Sequence, residues 1–303
     1  MLKNSIGIFL LVIVFFTSAK AQNKDEKILL WTSRTLPGGV GPSGVENVTG
    51  NGSVTNVSIP RLLVHRPKNP NGMAVLLIGG GGYVHIQVGH ETTPVGNWLQ
   101  ANGVTAFELV YRLPLEGWES TEVPFQDAQR AMRLIRSKAE SYGIDTNKIG
   151  VLGFSSGAHL AGMIAAAPKL SFYQPVDRID SLSSRPAFAA LIYPVITMLP
   201  PYNQTHSRKT IIMSVEDETF YSVELRVNKD MPPTFLAQSE DDPTVSVMNS
   251  RIMYAALQKA GIPAELHIFK SGGHGWGMGR NNSEVHQWTG LFENWAKQNG
   301  FWK

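Results

Sequence analysis

Residues 148–167 constrain the fold more than any other stretch of the chain. Lys148 to Gly153 reads as a buried strand and Ser156 to Ala167 as a helix of small residues, joined through Gly153-Phe154-Ser155-Ser156-Gly157. A strand that becomes a helix within five residues needs glycine on both sides of the bend. A side chain at either flank would strike the neighbouring strand or helix. The serine at the centre is then strained and exposed, and the small residues that follow let the helix pack close to a sheet.

The rest of the chain supplies that sheet. Ile59 to Val64 reads as an edge strand, ended by Pro67 and the turn Asn69-Pro70-Asn71-Gly72. Ala74 to Ile78 is a continuous apolar run, the mark of a strand buried on both faces. Val95 to Ala101 predicts a helix and Val104 to Tyr111 the next strand. In Phe125 to Tyr142, Ala128, Ala131, Leu134 and Ile135 recur at helical spacing until Gly143 stops the run. Phe188 to Tyr193, Thr234 to Gln238 and Ala264 to Phe269 predict strands; Val247 to Ala260 and Glu284 to Gln298 predict helices. Such alternation implies an α/β fold with a mostly parallel central sheet flanked by helices. Residues 171–186 and 200–233 fit it poorly. Both are expected to leave the C-terminal edge of the sheet, where ligands bind in open α/β folds, with a small cap containing helix around Thr219 to Lys229.

At 303 residues the chain holds one large domain, expected over 57–303. Residues 22–56, rich in Gly, Asn, Pro and Ser, read as an extended lead-in with little core. Residues 1–21 combine a basic start, the apolar run Ile6 to Phe16 and the small residues of Ala19-Lys20-Ala21, the pattern of a signal peptide. The mature protein is therefore expected to be periplasmic or secreted, with no membrane partner. No cysteine occurs, so disulfides, thiolate zinc sites and cysteine nucleophiles are excluded. Without Lys3 and Lys20 the formal charge of +3 falls to +1, and no basic run or basic–aromatic stripe suggests a nucleic-acid partner.

Ser155 is the candidate nucleophile. A serine hydroxyl needs a base to take its proton, and the base needs a partner to fix its tautomer. His274 alone among the eight histidines follows the last strand in a glycine loop, Ser271 to Gly277, and has no apolar face to rest on. His267 reads instead as a strand residue. The acid should sit at the tip of the strand Thr234 to Gln238, where Glu240, Asp241 and Asp242 compete, with Glu265 more remote. Asp242 is preferred for its place in the turn before the next helix, and Asp241 is the runner-up.

Gly79-Gly80-Gly81-Gly82-Tyr83 directly follows the strand Ala74 to Ile78. Bare amides there suit an oxyanion hole built from Gly81, Gly82 and Ser156, with Tyr83 an alternative donor. A phosphate loop would need Lys-Ser/Thr after the glycines, and a dinucleotide fingerprint an acidic-tipped second strand. Neither is present. His85, His90 and Glu91 match no tight metal spacing. His90, Glu91, Tyr83 and Trp276 are candidate substrate contacts, the two aromatics being equally suited to a core.

These motifs resemble those of secreted bacterial α/β-hydrolases that include acetylxylan and feruloyl-type carbohydrate esterases, some xylanase-associated. Matching segments include Leu29-Leu30-Trp31, Gly80-Gly81-Gly82-Tyr83, His90-Glu91, Tyr111-Arg112-Leu113-Pro114, Gln126 to Ala131, Gly153 to Ala161, Asp241 to Val245 and Gly272-Gly273-His274-Gly275. The likeness runs from about residue 29 to the end. It implies an α/β-hydrolase fold, a triad of Ser155, Asp242 and His274, no metal or organic cofactor, and removal of short acyl groups from an acylated carbohydrate. The chain departs from the pattern at Ala158, at Gly79 and through Thr205 to Lys229. Two other readings stand beside it: a prolyl-oligopeptidase-like serine peptidase and a non-catalytic carbohydrate binder on a hydrolase fold. Glycoside hydrolysis would require two carboxylates flanking the bond and leave the serine turn unexplained.

Overall fold

A computed structural model of the chain describes residues 26–32 and 36–303. The predicted signal peptide lies outside the described residues, and among those described no helix is long and apolar enough to cross a membrane.

In chain order the strands are β1 (Lys27–Leu29), β2 (Asn47–Val48), β3 (Ser53–Thr55), β4 (Arg61–His65), β5 (Ala74–Ile78), β6 (Ile86–Gln87), β7 (Thr105–Val110), β8 (Ile149–Phe154), β9 (Ala189–Ile192), β10 (Thr234–Ser239) and β11 (Ala264–Phe269). The helices are α1 (Thr93–Ala101), α2 (Val123–Ser137), α3 (Ala139–Tyr142), α4 (Ser156–Ala166), α5 (His206–Ile211), α6 (Val215–Phe220), α7 (Met248–Lys259) and α8 (Trp288–Gln298). Eight strands form one sheet in the order β1-β4-β7-β5-β8-β9-β10-β11. The six from β7 to β11 are parallel, while β4 runs antiparallel to both β1 and β7. β2, β3 and β6 make a small antiparallel sheet beside the glycine loop.

The apolar run of β5 divides by parity. Ala74, Leu76 and Ile78 join the core that includes α2, α4 and α7, while Val75 and Leu77 join the core beneath α1 and α8. Side chains alternate across a strand, so a strand covered on both faces must be apolar throughout. On the second face Phe292 and Trp295 of α8 pack with Phe188 and Phe235, and Trp288 with Phe154, which fixes the C-terminal helix against the sheet from β8 to β10.

Three expectations are corrected. β4 is not an edge strand, because Lys27–Leu29 pairs outside it through Lys27↔Leu63. The lead-in, expected to hold little core, buries Leu30 and Trp31, and the Trp31 indole N–H donates to Asp127 at 2.7 Å. That carboxylate also receives the Arg112 guanidinium at 2.7 Å and the Arg112 backbone N–H at 2.9 Å, with both side chains fully buried. An ion pair removed from water persists only when its remaining hydrogen-bonding positions are filled. Here Pro37 O and Gln126 Oε1 accept from the same guanidinium, so the lead-in, β7 and α2 are joined at one point. Finally, residues 171–186 do not cap the sheet. They run along α2, with Asp177 and Asp180 held by Arg130, Leu182 O by Arg133 and Ser183 O by Arg136. The 200–233 segment does reach the glycine loop, but its helices are α5 and α6, with a single 3-10 turn at Val223–Arg226 in place of helix through Lys229.

Candidate active site

The site is assembled at the C-terminal ends of β5, β8, β10 and β11. β8 leads straight into Ser155, whose φ of 52° and ψ of −118° place a non-glycine residue in the left-handed half of backbone space. Such strain costs about 1–3 kcal/mol and persists only where the surroundings enforce it. The flanking glycines enforce it. A Cβ on Gly153 would lie 2.2 Å from Gly157 O, and one on Gly157 would lie 2.3 Å from Ile78 O. Ser155 is 9% exposed and lines the cavity that opens above it.

Ser155 Oγ lies 2.9 Å from His274 Nε2, and His274 Nδ1 lies 2.8 Å from Asp242 Oδ2. A carboxylate oxygen only accepts, so Nδ1 carries the ring hydrogen and Nε2 is left to accept from the serine. The Asp242 side chain is fully buried. Its second oxygen accepts from the Thr244 and Val245 amides at 2.8 and 2.9 Å, which leaves Oδ2 aimed at the imidazole. The other carboxylates at this strand tip serve elsewhere. Asp241 Oδ1 accepts from the Gly272 and Gly273 amides and so anchors the loop that carries His274; Glu240 pairs with Arg251 and Glu265 with His267.

The register Ile78↔Gly153 sets the glycine loop beside the serine turn. The Gly81 and Ser156 amides remain the candidates for an oxyanion. Gly82 is corrected: its N–H donates to Ser156 Oγ at 2.9 Å and is not a free donor. Tyr83 is also corrected as a substrate contact. It is fully buried, with its hydroxyl 2.8 Å from His159 Nδ1. His159 Nε2 lies 2.7 Å from Tyr221 O, so Nε2–H donates there and Nδ1 accepts from the tyrosine.

A cavity of about 330 Å³ opens over Ser155 and His274. Its walls come from Gly81, Gly82, His85, Gln87 and His90 of the glycine-loop region, from Thr205 and His206 of the cap, and from Thr244 and Val245. His90, a candidate substrate contact, is among these lining residues. Glu91 also lines the cavity, although its buried carboxylate is bonded to protein donors, and Trp276 stands in the core with its indole N–H on Ser239 Oγ. Sequence reasoning missed Gln87, and reached Thr205 and His206 only through the divergent stretch 205–229 expected at the substrate rim. His206 stands in the stretch that departs from the family pattern, and only the fold brings its Cβ within 2.8 Å of where a Gly82 side chain would begin. Burial lowers the basicity of His85, which favours a neutral, hydrogen-bonding imidazole at the cavity wall.

A mostly parallel eight-stranded sheet with serine, histidine and aspartate converging at its C-terminal rim defines an α/β-hydrolase. The chain matches the BD-FAE family over residues 62–257 and belongs to it. It is 31% identical over 242 residues to an acetylxylan esterase of Xylanibacter ruminicola, covering 76% of this chain and 46% of that one. With endo-1,4-beta-xylanase B of Butyrivibrio fibrisolvens it shares 32% identity over 228 residues, covering 71% of this chain and 34% of the relative. The chain thus spans less than half the length of either relative. Among solved structures it resembles an acetyl ester-xyloside bifunctional hydrolase from Caldicellulosiruptor lactoaceticus, with a TM-score of 0.80, 32% identity, and coverage of 92% of this chain and 98% of that one.

Proposed function

We propose that the protein is an exported serine carboxylic ester hydrolase that removes acetyl or other short acyl groups from xylan or a related carbohydrate. The reading rests on one observation above all: an unbroken Ser155–His274–Asp242 hydrogen-bond chain facing the cavity. Relatives named as an acetylxylan esterase and an acetyl ester-xyloside hydrolase support the substrate class.

Ser155 Oγ attacks the ester carbonyl carbon while its proton passes to His274 Nε2. The imidazolium so formed is stabilised through Nδ1–H by the Asp242 carboxylate. The carbonyl oxygen gains negative charge and meets the Gly81 and Ser156 amides, each donor of this kind being worth about 3–4 kcal/mol in the transition state. When the tetrahedral intermediate collapses, the C–O bond to the sugar breaks and His274 returns the proton to the departing hydroxyl. Water, deprotonated by the same imidazole, then attacks the acyl-serine and releases the carboxylic acid.

The peptidase and non-catalytic readings gain no support from the named relatives. A xyloside cleavage by paired carboxylates is disfavoured too, because Glu91 and Asp242 both turn their oxygens inward to protein donors. Mass spectrometry of acetylated xylo-oligosaccharides incubated with the protein tests the reading. The expected products are lighter by whole acetyl groups with the sugar chain intact. Shortened chains that keep their acetyl groups would contradict it.

A further inference from the structure

Glu91 is a buried carboxylate, 3% exposed, that the mechanism above does not use. It lies in the π-helical turn Val88–Thr92 that opens onto α1, and both of its oxygens are engaged. Oε2 accepts the Gly80 N–H at 2.6 Å, and Oε1 accepts the Tyr193 hydroxyl at 2.9 Å. The Tyr193 hydroxyl in turn accepts the Gly277 N–H at 3.1 Å. His90, the preceding residue, has Nε2 2.8 Å from Gly275 O, where it must act as donor because a carbonyl only accepts.

These contacts join two parts of the site that the sheet holds apart. Gly80 belongs to the loop after β5, and a Cβ there would lie 2.8 Å from Ser155 Cβ, so its placement sets the wall beside the nucleophile. Gly275 and Gly277 flank the loop that carries His274 after β11, and three strands separate β5 from β11 in the sheet. Tyr193 spans the gap. It is fully buried just beyond β9 with φ of 37°, and its ring stands edge-on to His274 at 5.0 Å and to Trp276 at 4.6 Å. A bulky residue in that backbone region is strained, and its neighbours must hold it there. The hydroxyl contacts to Glu91 and Gly277 do so.

We propose that Glu91 and Tyr193 form a positioning pair that fixes the oxyanion loop and the histidine loop relative to one another. The carboxylate suits this role because it accepts on both oxygens, matching two donors with no hydrogen left to misdirect. A glutamine would turn an amide N–H₂ toward one of them. Burial disfavours the charge, while the Gly80 and Tyr193 hydrogen bonds favour it. Neither residue touches the ester. Both act through Gly80 and His274, and the inference rests on the serine-hydrolase reading above.

The test compares wild type, E91Q, Y193F, the double variant and S155A on p-nitrophenyl acetate, with competent sites counted by fluorophosphonate titration. Loosened geometry costs turnover more than binding, so E91Q and Y193F should each lower kcat per titrated site by about 10–100-fold with KM changed less than about threefold. The double variant should fall little further, because both changes break one connection. A merely structural role would lower the number of titratable sites or the melting temperature and leave kcat per site unchanged, which overturns the proposal; so would additive losses in the double variant. If E91Q does not fold, Y193F alone decides by the same criteria. Turnover by S155A at the wild-type level would instead overturn the serine-hydrolase reading, so the two failures are distinct.

Discussion

Asp241 and Asp242 are adjacent, chemically identical and at the same strand tip, yet they perform different tasks. Asp242 orients the imidazole, whereas Asp241 accepts two loop amides and keeps that imidazole within reach. Asp242→Asn should therefore lower kcat by about 10³–10⁴-fold with little change in fold, because an amide that donates to Nδ1 selects the wrong tautomer. Asp241→Ala should lower it far less, by about tenfold, while reducing thermal stability through two freed loop amides. Steady-state kinetics and melting of the two variants check this, and equal losses of kcat would contradict the division of labour. Ser155 and His274 could be singled out in the sequence because each stands in unusual local surroundings, glycines packed around a single polar residue, and the structure brings them within 2.9 Å. The acid was not settled by spacing, because its role depends on which oxygen faces the ring, a matter of one backbone turn. Tyr83 and Trp276 were misplaced as substrate contacts for a related reason: proximity to a motif does not say whether a side chain turns toward the cavity or the core.

At the scale of elements, α4 carries more than the serine turn. His159, one turn beyond Ser155, links the glycine loop through Tyr83 to the cap through Tyr221 O. Burial holds its pKa down at about 4, well below the 6.5 of a solvated histidine. The unfolded chain therefore binds this proton more readily than the folded one. Its stabilising contribution is fully present above pH 6.5 and is lost as the pH falls toward 4, about 3 kcal/mol over the interval. Denaturant unfolding at pH 7 and 4.5 should show a loss in wild type that is clearly smaller in His159→Gln; identical losses would contradict the assignment. The central strands and α2, α4, α7 and α8 were readable because each is long enough to repeat its pattern. By contrast α5 and α6 are six residues each, less than two turns, so no periodicity develops, and what starts them is capping by Thr205 and Ser214. β1 escaped notice because three residues cannot alternate legibly; it is held by pairing with β4 and by the burial of Trp31 just beyond it.

For the whole molecule, the sheet order brings Ser155 and His274 together across 119 positions, and His90 and Gly275 across 185, without any disulfide or long helix to guide them. Parallel strands all end at one rim, so loops after β5, β8, β10 and β11 meet there regardless of their separation in sequence. That rule made the location of the site legible in advance. The cap was legible only in part, since the 171–186 segment follows α2 through its arginines and leaves the rim to the 200–233 segment. The account stands or falls on Ser155 being a nucleophile activated by His274. Reaction with a fluorophosphonate, followed by intact mass and peptide mapping, measures this most directly. A single adduct on Ser155 is predicted, absent in Ser155→Ala and formed at least about a hundredfold more slowly in His274→Ala. An adduct on another residue, or labelling of His274→Ala at the wild-type rate, would contradict it.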